Sequence, residues 1–310
     1  MKTITILVPC YNEEEVIDIF YDEVVKVIND IDYRFELLFI NDGSKDRTLA
    51  KIISLRLRDS RVSYVDLSRN YGKEIAMAAG LDYASGDAVI IMDADLQDPP
   101  RLIPVMIKEW EAGYDDVYAK RSSRKGESFT KKFTAHCFYR LLGKLAKVEI
   151  QEDTGDFRLL NRQAVDALKQ FKETGRYTKG LFSLIGFNKK EILFDRDERA
   201  AGKTKWNYCK LIGLAIEGIT TFTIMPLRIA TFIGSITGIG AFIYMIYIVL
   251  RTLIIGIDLP GYASLISIML FIGSIQLVSI GVLGEYVGRI FNETKNRPLY
   301  FINKYESTKV

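Results

Sequence analysis

The sequence contains few of the residues that carry redox or triad chemistry. Its three cysteines, Cys10, Cys137 and Cys209, are odd in number and widely spaced. This spacing fits neither a disulfide framework nor a set of metal ligands, and it favours a reducing compartment. Since His136 is the sole histidine, a histidine-based catalytic triad is not expected, and we expect this residue to pack within a helix.

A large excess of one charge and a long apolar run before Pro9 are also lacking. The 42 basic residues nearly balance the 39 acidic ones, which argues against nucleic acid as the main partner. The apolar stretch before Pro9 is too short for a signal peptide, so we expect the N-terminus to stay in the cytosol. No Gly-x-Gly-x-x-Gly follows that stretch, which disfavours a dinucleotide-binding dehydrogenase.

Two long uncharged segments are present near the C-terminus. They cover 22 residues at 229–250 and 26 residues at 259–284. As helices both reach about 30 Å, the thickness of a bilayer's hydrocarbon core. We therefore predict membrane spans at 227–251 and 259–284, because buried core helices apolar on every face would need a protein shell. Gly234 and Gly238 form a small-xxx-small pair. Such a pair permits two helices to approach closely, either within the hairpin or between the subunits of a homo-oligomer.

Basic residues flank the two predicted spans. Six lie between 196 and 228 and five between 289 and 309, whereas the connection contains only Arg251. This bias predicts a multi-pass inner (plasma) membrane protein with its catalytic domain and both termini, including a tail at 285–310, in the cytoplasm. The apolar periodicity at 206–226 predicts an amphipathic interfacial helix, with an ordinary packing helix as the equal alternative.

Strands and helices alternate in the first 200 residues. Apolar runs at 4–8, 35–40, 62–67 and 88–92 are separated by helical patterns near 13–28, 44–58 and 73–83. In that second pattern Ser44 is a candidate helix cap. This alternation predicts one α/β domain at 1–205, with a mostly parallel sheet covered by helices on both faces.

The run at 88–92 leads into Asp93-Ala94-Asp95 and then Leu96-Gln97-Asp98-Pro99-Pro100. Ligands of open α/β sheets bind at the carboxyl ends of the strands. Two carboxylates there can face one Mg²⁺ or Mn²⁺ that bridges the phosphates of a nucleotide. Taken alone, Asp-x-Asp fits an Asp-rich turn without metal better.

Six motifs in order support the metal interpretation. They are Val8-Pro9-Cys10-Tyr11-Asn12-Glu13, Asn41-Asp42-Gly43-Ser44, Ser68-Arg69-Asn70-Tyr71-Gly72-Lys73-Glu74, Asp93-Ala94-Asp95-Leu96-Gln97-Asp98-Pro99-Pro100, Asp153-Thr154-Gly155-Asp156-Phe157-Arg158 and Arg199-Ala200-Ala201-Gly202-Lys203-Thr204-Lys205-Trp206. Together they resemble family-2 glycosyltransferases, specifically the polyprenyl-phosphate group that includes dolichol-phosphate mannose synthase and bactoprenol glucosyltransferase. The resemblance covers residues 3 to about 225, and the predicted membrane hairpin resembles the bactoprenol branch.

The resemblance implies a GT-A-like fold and a set of donor and metal ligands. The implied donor-binding residues are Pro9, Tyr11, Glu13, Asp42, Lys73 and Asp93. The implied ligands of Mg²⁺ or Mn²⁺ are Asp93, Asp95 and Gln97. Structural alternatives stay open: Asn12 and Glu15 could form a capping box, Asp42 could shape a turn, and Lys73 could be a solvated lysine at a helix start.

The resemblance also implies catalytic residues and contacts to the acceptor. Asp156 matches the family's catalytic carboxylate, and Arg121, Arg124 and Arg199 are the cations expected to assist it. The implied ligands of the acceptor phosphate are Arg199, Lys203 and Lys205. The alternatives are that Asp156 pairs with Arg158 or Arg162, and that the cations only form the cytoplasmic positive belt.

The implied function is a metal-dependent, inverting, non-processive sugar transfer at the cytoplasmic membrane face. The donor is a nucleotide-diphosphate sugar, a UDP-sugar by resemblance, and the acceptor a polyprenyl phosphate, by resemblance undecaprenyl phosphate. The product would serve cell-envelope glycan modification. A processive polysaccharide synthase should show Gln-x-x-Arg-Trp and more spans, and a non-catalytic scaffold should have lost Asp93, Asp95 or Asp156. Neither condition is met in the sequence.

Overall fold

A computed structural model describes residues 1–122, 154–176, 178–194, 224–255 and 261–308. The chain divides into two compact units, one formed by Met1–Leu211 with Arg297–Val310 and the other by Ile212–Asn296. Residues 206–223 of the predicted interfacial helix, His136 and four of the predicted cationic site residues lie outside the described residues. Those four are Arg124, Arg199, Lys203 and Lys205.

The described part of the first unit alternates strands and helices, as predicted. Its strands are β1 (Thr3–Cys10), β2 (Arg34–Asn41), β3 (Val62–Leu67), β4 (Ala88–Ile91), β5 (Asp116–Arg121), β6 (Thr154–Asn161), β7 (Lys189–Phe194) and β8 (Ile302–Glu306). Its helices are α1 (Ile17–Ile28), α2 (Thr48–Arg58), α3 (Lys73–Tyr83), α4 (Ile103–Glu111), α5 (Arg162–Leu168) and α6 (Thr178–Leu184), and a 3₁₀ turn at Pro100–Leu102 precedes α4.

The strands form one eight-stranded sheet in the order β7-β5-β6-β4-β1-β2-β3-β8. The central strands β4, β1, β2 and β3 run parallel, and β6 and β8 pair antiparallel with their neighbours β4 and β3. This arrangement confirms the predicted α/β class with a mostly parallel sheet. The connections through α1 and α2 lead from β1 to β2 and on to β3, whereas the connection through α3 leads back past β1 to β4. Each returns the chain to the start of the next parallel strand, as parallel strands require.

Apolar side chains of the central strands point to both faces. Along β1, Ile4, Ile6 and Val8 are buried under α1, α2 and α4, whereas Leu7 is buried on the opposite face, which α3, α5 and α6 cover. Burial on both faces explains why these strands read as continuous apolar runs instead of alternating ones. On the second face α3 lies close to the sheet, because a Cβ at Gly80 would come within 2.5 Å of the Leu7 side chain.

The structure contains neither the capping box that Asn12 and Glu15 could have formed nor the predicted helix cap at Ser44. Asn12 has a left-handed backbone (φ 55°) and lies outside α1, which begins at Ile17 without a side-chain cap. Ser44 does not cap α2 either, because that helix begins at Thr48. The polar groups of these two loops instead pair with each other: Asn12 N–H donates to Ser44 Oγ, and Lys45 N–H donates to Asn12 Oδ1. Contacts between loops therefore replace the local caps.

The last strand, β8, lies within the segment that the sequence analysis interprets as a tail. It follows the apolar hairpin in sequence and pairs antiparallel with β3 at the edge of the sheet. The tail therefore returns to the first unit. The two paired segments lie about 240 residues apart in the chain. Local patterns could not predict this pairing, because the partner of a strand depends on which edge of the folded sheet is free to accept it.

The second unit contains two long helices, α7 (Met225–Ile255) and α8 (Tyr262–Thr294), which contact each other. By length and composition alone, Met225–Ile254 and Ser267–Thr294 could each cross a membrane. Large apolar side chains along both helices are exposed, such as Phe232 and Leu270. An apolar surface of this extent is typical of a helix that contacts lipid or another protein.

Candidate active site

Except for Pro9 and Lys73, the predicted donor and metal residues follow the carboxyl ends of β1, β2 and β4. Because these strands run parallel, Tyr11, Asp42 and Asp93 come at the same edge of the sheet. β6 runs in the opposite direction, so Asp156 reaches this edge from the beginning of a strand. In the ladder Ile91 pairs with Arg158, which places Asp156 beyond the last residue of β4 and beside Asp93.

Lys73 joins Asp93 to Asp156. It is the first residue of α3, and its Nζ lies 2.7 Å from Asp93 Oδ1 and 2.6 Å from Asp156 Oδ2. Burial alone would lower the pKa of the Lys73 ammonium, but the two carboxylates outweigh this effect and raise the pKa above its usual value. Lys73 is therefore a fixed positive charge between two acidic groups, not a lysine that interacts with solvent alone.

Asp156 is the most enclosed member of this group, with a side chain only 12% exposed. Burial would raise its pKa, but the charges of Lys73 and Lys179 lower the pKa to about 2. Its Oδ1 is buried and has no hydrogen-bond partner among the described residues. Asp156 is thus an anion at neutral pH, with one oxygen on Lys73 and the other without a hydrogen bond to a described residue.

Arg158 and Arg162, the alternative partners of Asp156, have other ion-pair partners. Arg158 Nη1 donates to Asp116 Oδ2 at 2.9 Å, and both side chains are fully buried. Arg162 Nη1 lies 3.6 Å from Asp166 Oδ1, and its Nε donates to the Gly86 carbonyl at 2.9 Å. The ion pair of Asp156 is with Lys73, which the alternative interpretation did not include.

Lys179, on the short helix α6, is a further cation near Asp156 that the sequence analysis missed. Its Nζ donates to the Thr154 carbonyl at 3.0 Å, two residues before Asp156. Burial lowers the pKa of Lys179, the charge of Asp156 opposes this shift, and Lys73 and Arg121 reinforce it. Arg121, a predicted site residue at the end of β5, therefore lies close enough to act electrostatically on this group. No motif surrounds Lys179, so the sequence carried no signal for it.

Asp42 holds the loop that precedes α3. Its Oδ1 accepts from Tyr71 N–H at 2.7 Å and its Oδ2 from Gly72 N–H at 2.9 Å. Burial raises the pKa of Asp42, although these two N–H groups and Arg69 act in the opposite sense. The contacts are those of the loop-shaping interpretation, and each carboxylate oxygen keeps a second lone pair for another donor.

The other predicted donor residues lie around the end of β1. Pro9 pairs with Ile40 in the ladder and is half-buried. Tyr11 is 40% exposed, so its ring is available for stacking. Glu13 N–H donates to Thr48 Oγ1 at 2.8 Å, which fixes the backbone of this loop against the start of α2. The structure thus places an accessible aromatic ring on a well-anchored turn.

The predicted metal ligands occupy a tight turn after β4. Leu96 has a left-handed backbone (φ 57°), and Asp95 Oδ1 accepts from Gln97 N–H at 3.1 Å. Among the described residues, no group of three or more His, Cys, Asp or Glu is arranged to hold a metal. Two carboxylates and an amide oxygen nevertheless fit Mg²⁺ or Mn²⁺, because such ions take their remaining ligands from water and substrate phosphates.

Comparisons with known proteins match both units. The family described as glycosyl transferase family 2 matches residues 5–169, and the GtrB C-terminal hairpin matches residues 225–290. A prophage bactoprenol glucosyl transferase homolog of Escherichia coli (strain K12) is 46% identical over 301 residues, covering 97% of this chain and 98% of that protein. Bactoprenol glucosyl transferase of Shigella phage SfII is also 46% identical, covering 97% of both chains.

A solved structure supports the fold. Glucosyl-3-phosphoglycerate synthase from Mycobacterium tuberculosis, crystallised with Mn²⁺, uridine diphosphate and phosphoglyceric acid, superposes with a TM-score of 0.53 at 20% identity. The match covers 71% of this chain and 77% of that one. At this identity the likeness shows a shared GT-A-like fold alone.

Proposed function

The chain belongs to glycosyl transferase family 2, and we propose that it transfers one sugar from a nucleotide-diphosphate sugar to a polyprenyl phosphate. The observation that carries the proposal is the cluster of Lys73, Asp93 and Asp156 at the carboxyl edge of the sheet. The bactoprenol names of relatives that match almost the whole chain support the lipid acceptor.

The donor is proposed to bind along the loops after β1, β2 and β4. Tyr11 offers a stacking surface, Asp42 and the loop it holds would contact the base, and Lys73 would neutralise the diphosphate. Asp93, Asp95 and Gln97 would hold Mg²⁺ or Mn²⁺, which when bound offsets the charge of the leaving diphosphate. The Mn²⁺ and uridine diphosphate of the structural neighbour support a divalent metal and a uridine donor.

The transfer is proposed to be a direct, inverting displacement. An acceptor phosphate oxygen forms a bond to the anomeric carbon, and the bond from that carbon to the diphosphate breaks, with the electron pair leaving on the diphosphate. Because a phosphate monoester has a second pKa of about 6, the acceptor arrives largely deprotonated. Asp156 then orients groups as a fixed anion, while Lys73, Lys179 and the predicted Arg121, Arg124 and Arg199 reduce repulsion between acceptor and donor.

The acceptor phosphate is proposed to bind through Arg199, Lys203 and Lys205.

The hairpin of α7 and α8 is proposed to span the inner membrane twice. Since β3 precedes the hairpin, β8 follows it and the two strands pair, both ends of the hairpin connect to one folded unit. This pairing supports an even number of crossings. The excess of basic residues on both flanks supports the cytoplasmic side for that unit and for both termini.

The decisive experiment is an assay of the purified full chain in detergent. It is incubated with undecaprenyl phosphate, MgCl₂ or MnCl₂, and a panel of UDP- and GDP-sugars, and the lipid product is read by mass. We expect one hexose-type increment on the lipid phosphate with a UDP-sugar. Products that grow by repeated additions would contradict the non-processive mechanism, and the absence of any lipid product across the panel would contradict the acceptor class.

A further inference from the structure

The segment after the hairpin touches a loop of the candidate active site. We define the C-terminal segment as residues 300–306 and the donor loop as residues 68–72, which connects β3 to α3. Ser68 N–H donates to the Phe301 carbonyl at 2.9 Å, and Phe301 N–H donates to the Tyr71 hydroxyl at 3.3 Å. The Tyr71 hydroxyl is also 2.9 Å from Ser68 Oγ. Both ends of the donor loop are therefore fixed to the backbone of one residue, Phe301.

The other side of the donor loop forms the site. The backbone N–H groups of Tyr71 and Gly72 donate to Asp42, and the next residue is Lys73, which pairs with Asp93 and Asp156. The loop also lies against Gly43, where a Cβ would come within 2.3 Å of the Arg69 backbone. Tyr71 thus contacts Asp42 through its backbone and Phe301 through its hydroxyl.

The C-terminal segment has anchors of its own. Its strand β8 pairs with β3, and Tyr300 Oη donates to Asp82 Oδ2 at 2.8 Å. The rings of Tyr83 and Tyr305 lie 4.6 Å apart. These contacts are made to β3 and α3, outside the donor loop, so the segment has a fixed position from which it can hold that loop.

A second connection runs across the strands β8, β3 and β2. Asn303 Nδ2 donates to Asp66 Oδ2 at 3.1 Å, and Asn41 Nδ2 donates to Asp66 Oδ1 at 2.7 Å. Asn41 directly precedes Asp42. The C-terminal segment is therefore linked to both partners of the Asp42–Tyr71 contact, through Asp66 on one side and through the Tyr71 hydroxyl on the other.

We propose that the C-terminal segment is a positioning element for nucleotide binding, and that the Tyr71 hydroxyl and the Phe301 backbone are the contacts through which it holds the donor loop. The proposal rests on the proposed function insofar as the donor nucleotide binds beside Asp42. In this proposal the C-terminal segment has two roles: it completes the sheet through β8, and it increases the affinity for the donor nucleotide. Tyr71 is a positioning residue here, because the proposed role of its hydroxyl is to hold the donor loop through Ser68 and the Phe301 backbone.

The test uses full-length Tyr71→Phe, which removes the hydroxyl and keeps the ring that lies 4.2 Å from the Arg69 guanidinium. The dissociation constant of UDP with MnCl₂ is measured by calorimetry in detergent, together with KM and kcat for the sugar donor. We expect the dissociation constant and KM to rise about 3- to 10-fold, the equivalent of one hydrogen bond, with kcat within about twofold of the parent. Asn303→Ala should shift the same two constants in the same direction.

Two controls separate positioning from general destabilisation. Tyr21→Phe removes a hydroxyl that donates to Asp59 at 2.8 Å, far from the donor loop in sequence and contact. Phe301→Ala removes a side chain that is 60% exposed and keeps both backbone hydrogen bonds. Both should bind UDP as the parent does.

Unchanged UDP binding in Tyr71→Phe, or an equal loss in Tyr21→Phe, would overturn the inference. A kcat loss with unchanged KM would also overturn it. Failure of the proposed function is distinguishable: a parent protein that binds neither UDP nor GDP would refute the proposed donor, whereas intact UDP binding without lipid product would refute only the acceptor.

Discussion

Lys73 Nζ and Asp156 Oδ2 lie 2.6 Å apart although 83 residues separate them in the chain. The contact joins the start of α3 to the start of β6. Burial raises the pKa of Asp156, but Lys73, the strongest of the opposing groups, and Lys179 lower that pKa from 3.8 to about 2. Because the folded-state pKa is lowered, the pair stabilises the fold above a pH of about 4, and this contribution is lost as the pH falls toward 2.

The first prediction concerns the role of Asp156 in turnover. Because its carboxylate is already ionised between pH 5 and 8, its titration cannot produce a rise in activity there. We expect activity to rise between about pH 6 and 7, where the lipid phosphate ionises, and Arg199→Ala to lose as much kcat/KM as Asp156→Asn. Kinetics of both variants across this range provide the measurement. An Asp156→Asn enzyme far weaker than Arg199→Ala, with its own shifted profile, would identify Asp156 as a proton acceptor.

The second prediction concerns Lys73. Lys73→Met removes the ammonium that lies between Asp93 and Asp156 and leaves those two anions without it. We expect kcat/KM to fall about 10²- to 10³-fold, since a fixed charge near the diphosphate would be lost. Lys51→Met is the matched control, because Lys51 forms an exposed 2.7 Å pair with Asp18 on the other helix layer and should change kcat/KM by less than about twofold. Similar losses in both variants would argue against a role for Lys73 at the site.

The third prediction concerns the metal. Asp95→Asn should lower kcat about 100-fold or more, and EDTA should do the same to the parent, because the diphosphate would leave without a compensating cation. Asp87→Asn is the matched control: Asp87 precedes β4 at the opposite edge of the sheet, where it accepts from Thr3 N–H at 2.7 Å. Transfer that continues undiminished in EDTA would refute the metal assignment.

The fourth prediction concerns stability. Asp116→Ala leaves the fully buried Arg158 without its carboxylate partner, and we expect this change to lower the free energy of unfolding by about 3–5 kcal/mol. Glu191→Ala breaks an exposed 2.8 Å pair with Lys120 on the neighbouring strand and should cost about 0–1 kcal/mol. Thermal unfolding of both variants in the same detergent compares them. Equal shifts in Tm for the two variants would show that the burial of the Asp116–Arg158 pair does not determine how much the pair contributes to stability.

The fifth prediction concerns membrane association. Two apolar helices should retain the protein in membrane fractions through a high-salt wash, because salt screens surface charge but does not weaken burial of apolar surface in lipid. Immunoblots of pellet and supernatant before and after the wash provide the measurement. A monodisperse preparation that is fully soluble without detergent would contradict the interpretation of residues 229–284 as spans.

The metal turn and the donor loops show how far local patterns carry. Asp93 and Asp95 could be placed at the carboxyl edge of the sheet because the apolar run that ends at Ile91 already defines a buried strand. Local patterns did not predict the helix starts near Asn12 and Ser44. There, hydrogen bonds between two loops that are distant in sequence replace the local caps, and such contacts exist only after β1 and β2 have paired.

Periodicity and composition along continuous stretches of chain were enough to predict the alternation of strands and helices, the two long apolar helices and the order of the acidic motifs. The folded chain was needed to show that Asp156 pairs with Lys73 and not with Arg158, that Lys179 joins them, and that β8 returns to the edge of the sheet. These contacts depend on the antiparallel placement of β6 beside β4 and on the free edge of β3. Neither is encoded locally, because side chains far apart in sequence meet only where packing of the whole sheet brings their strands together.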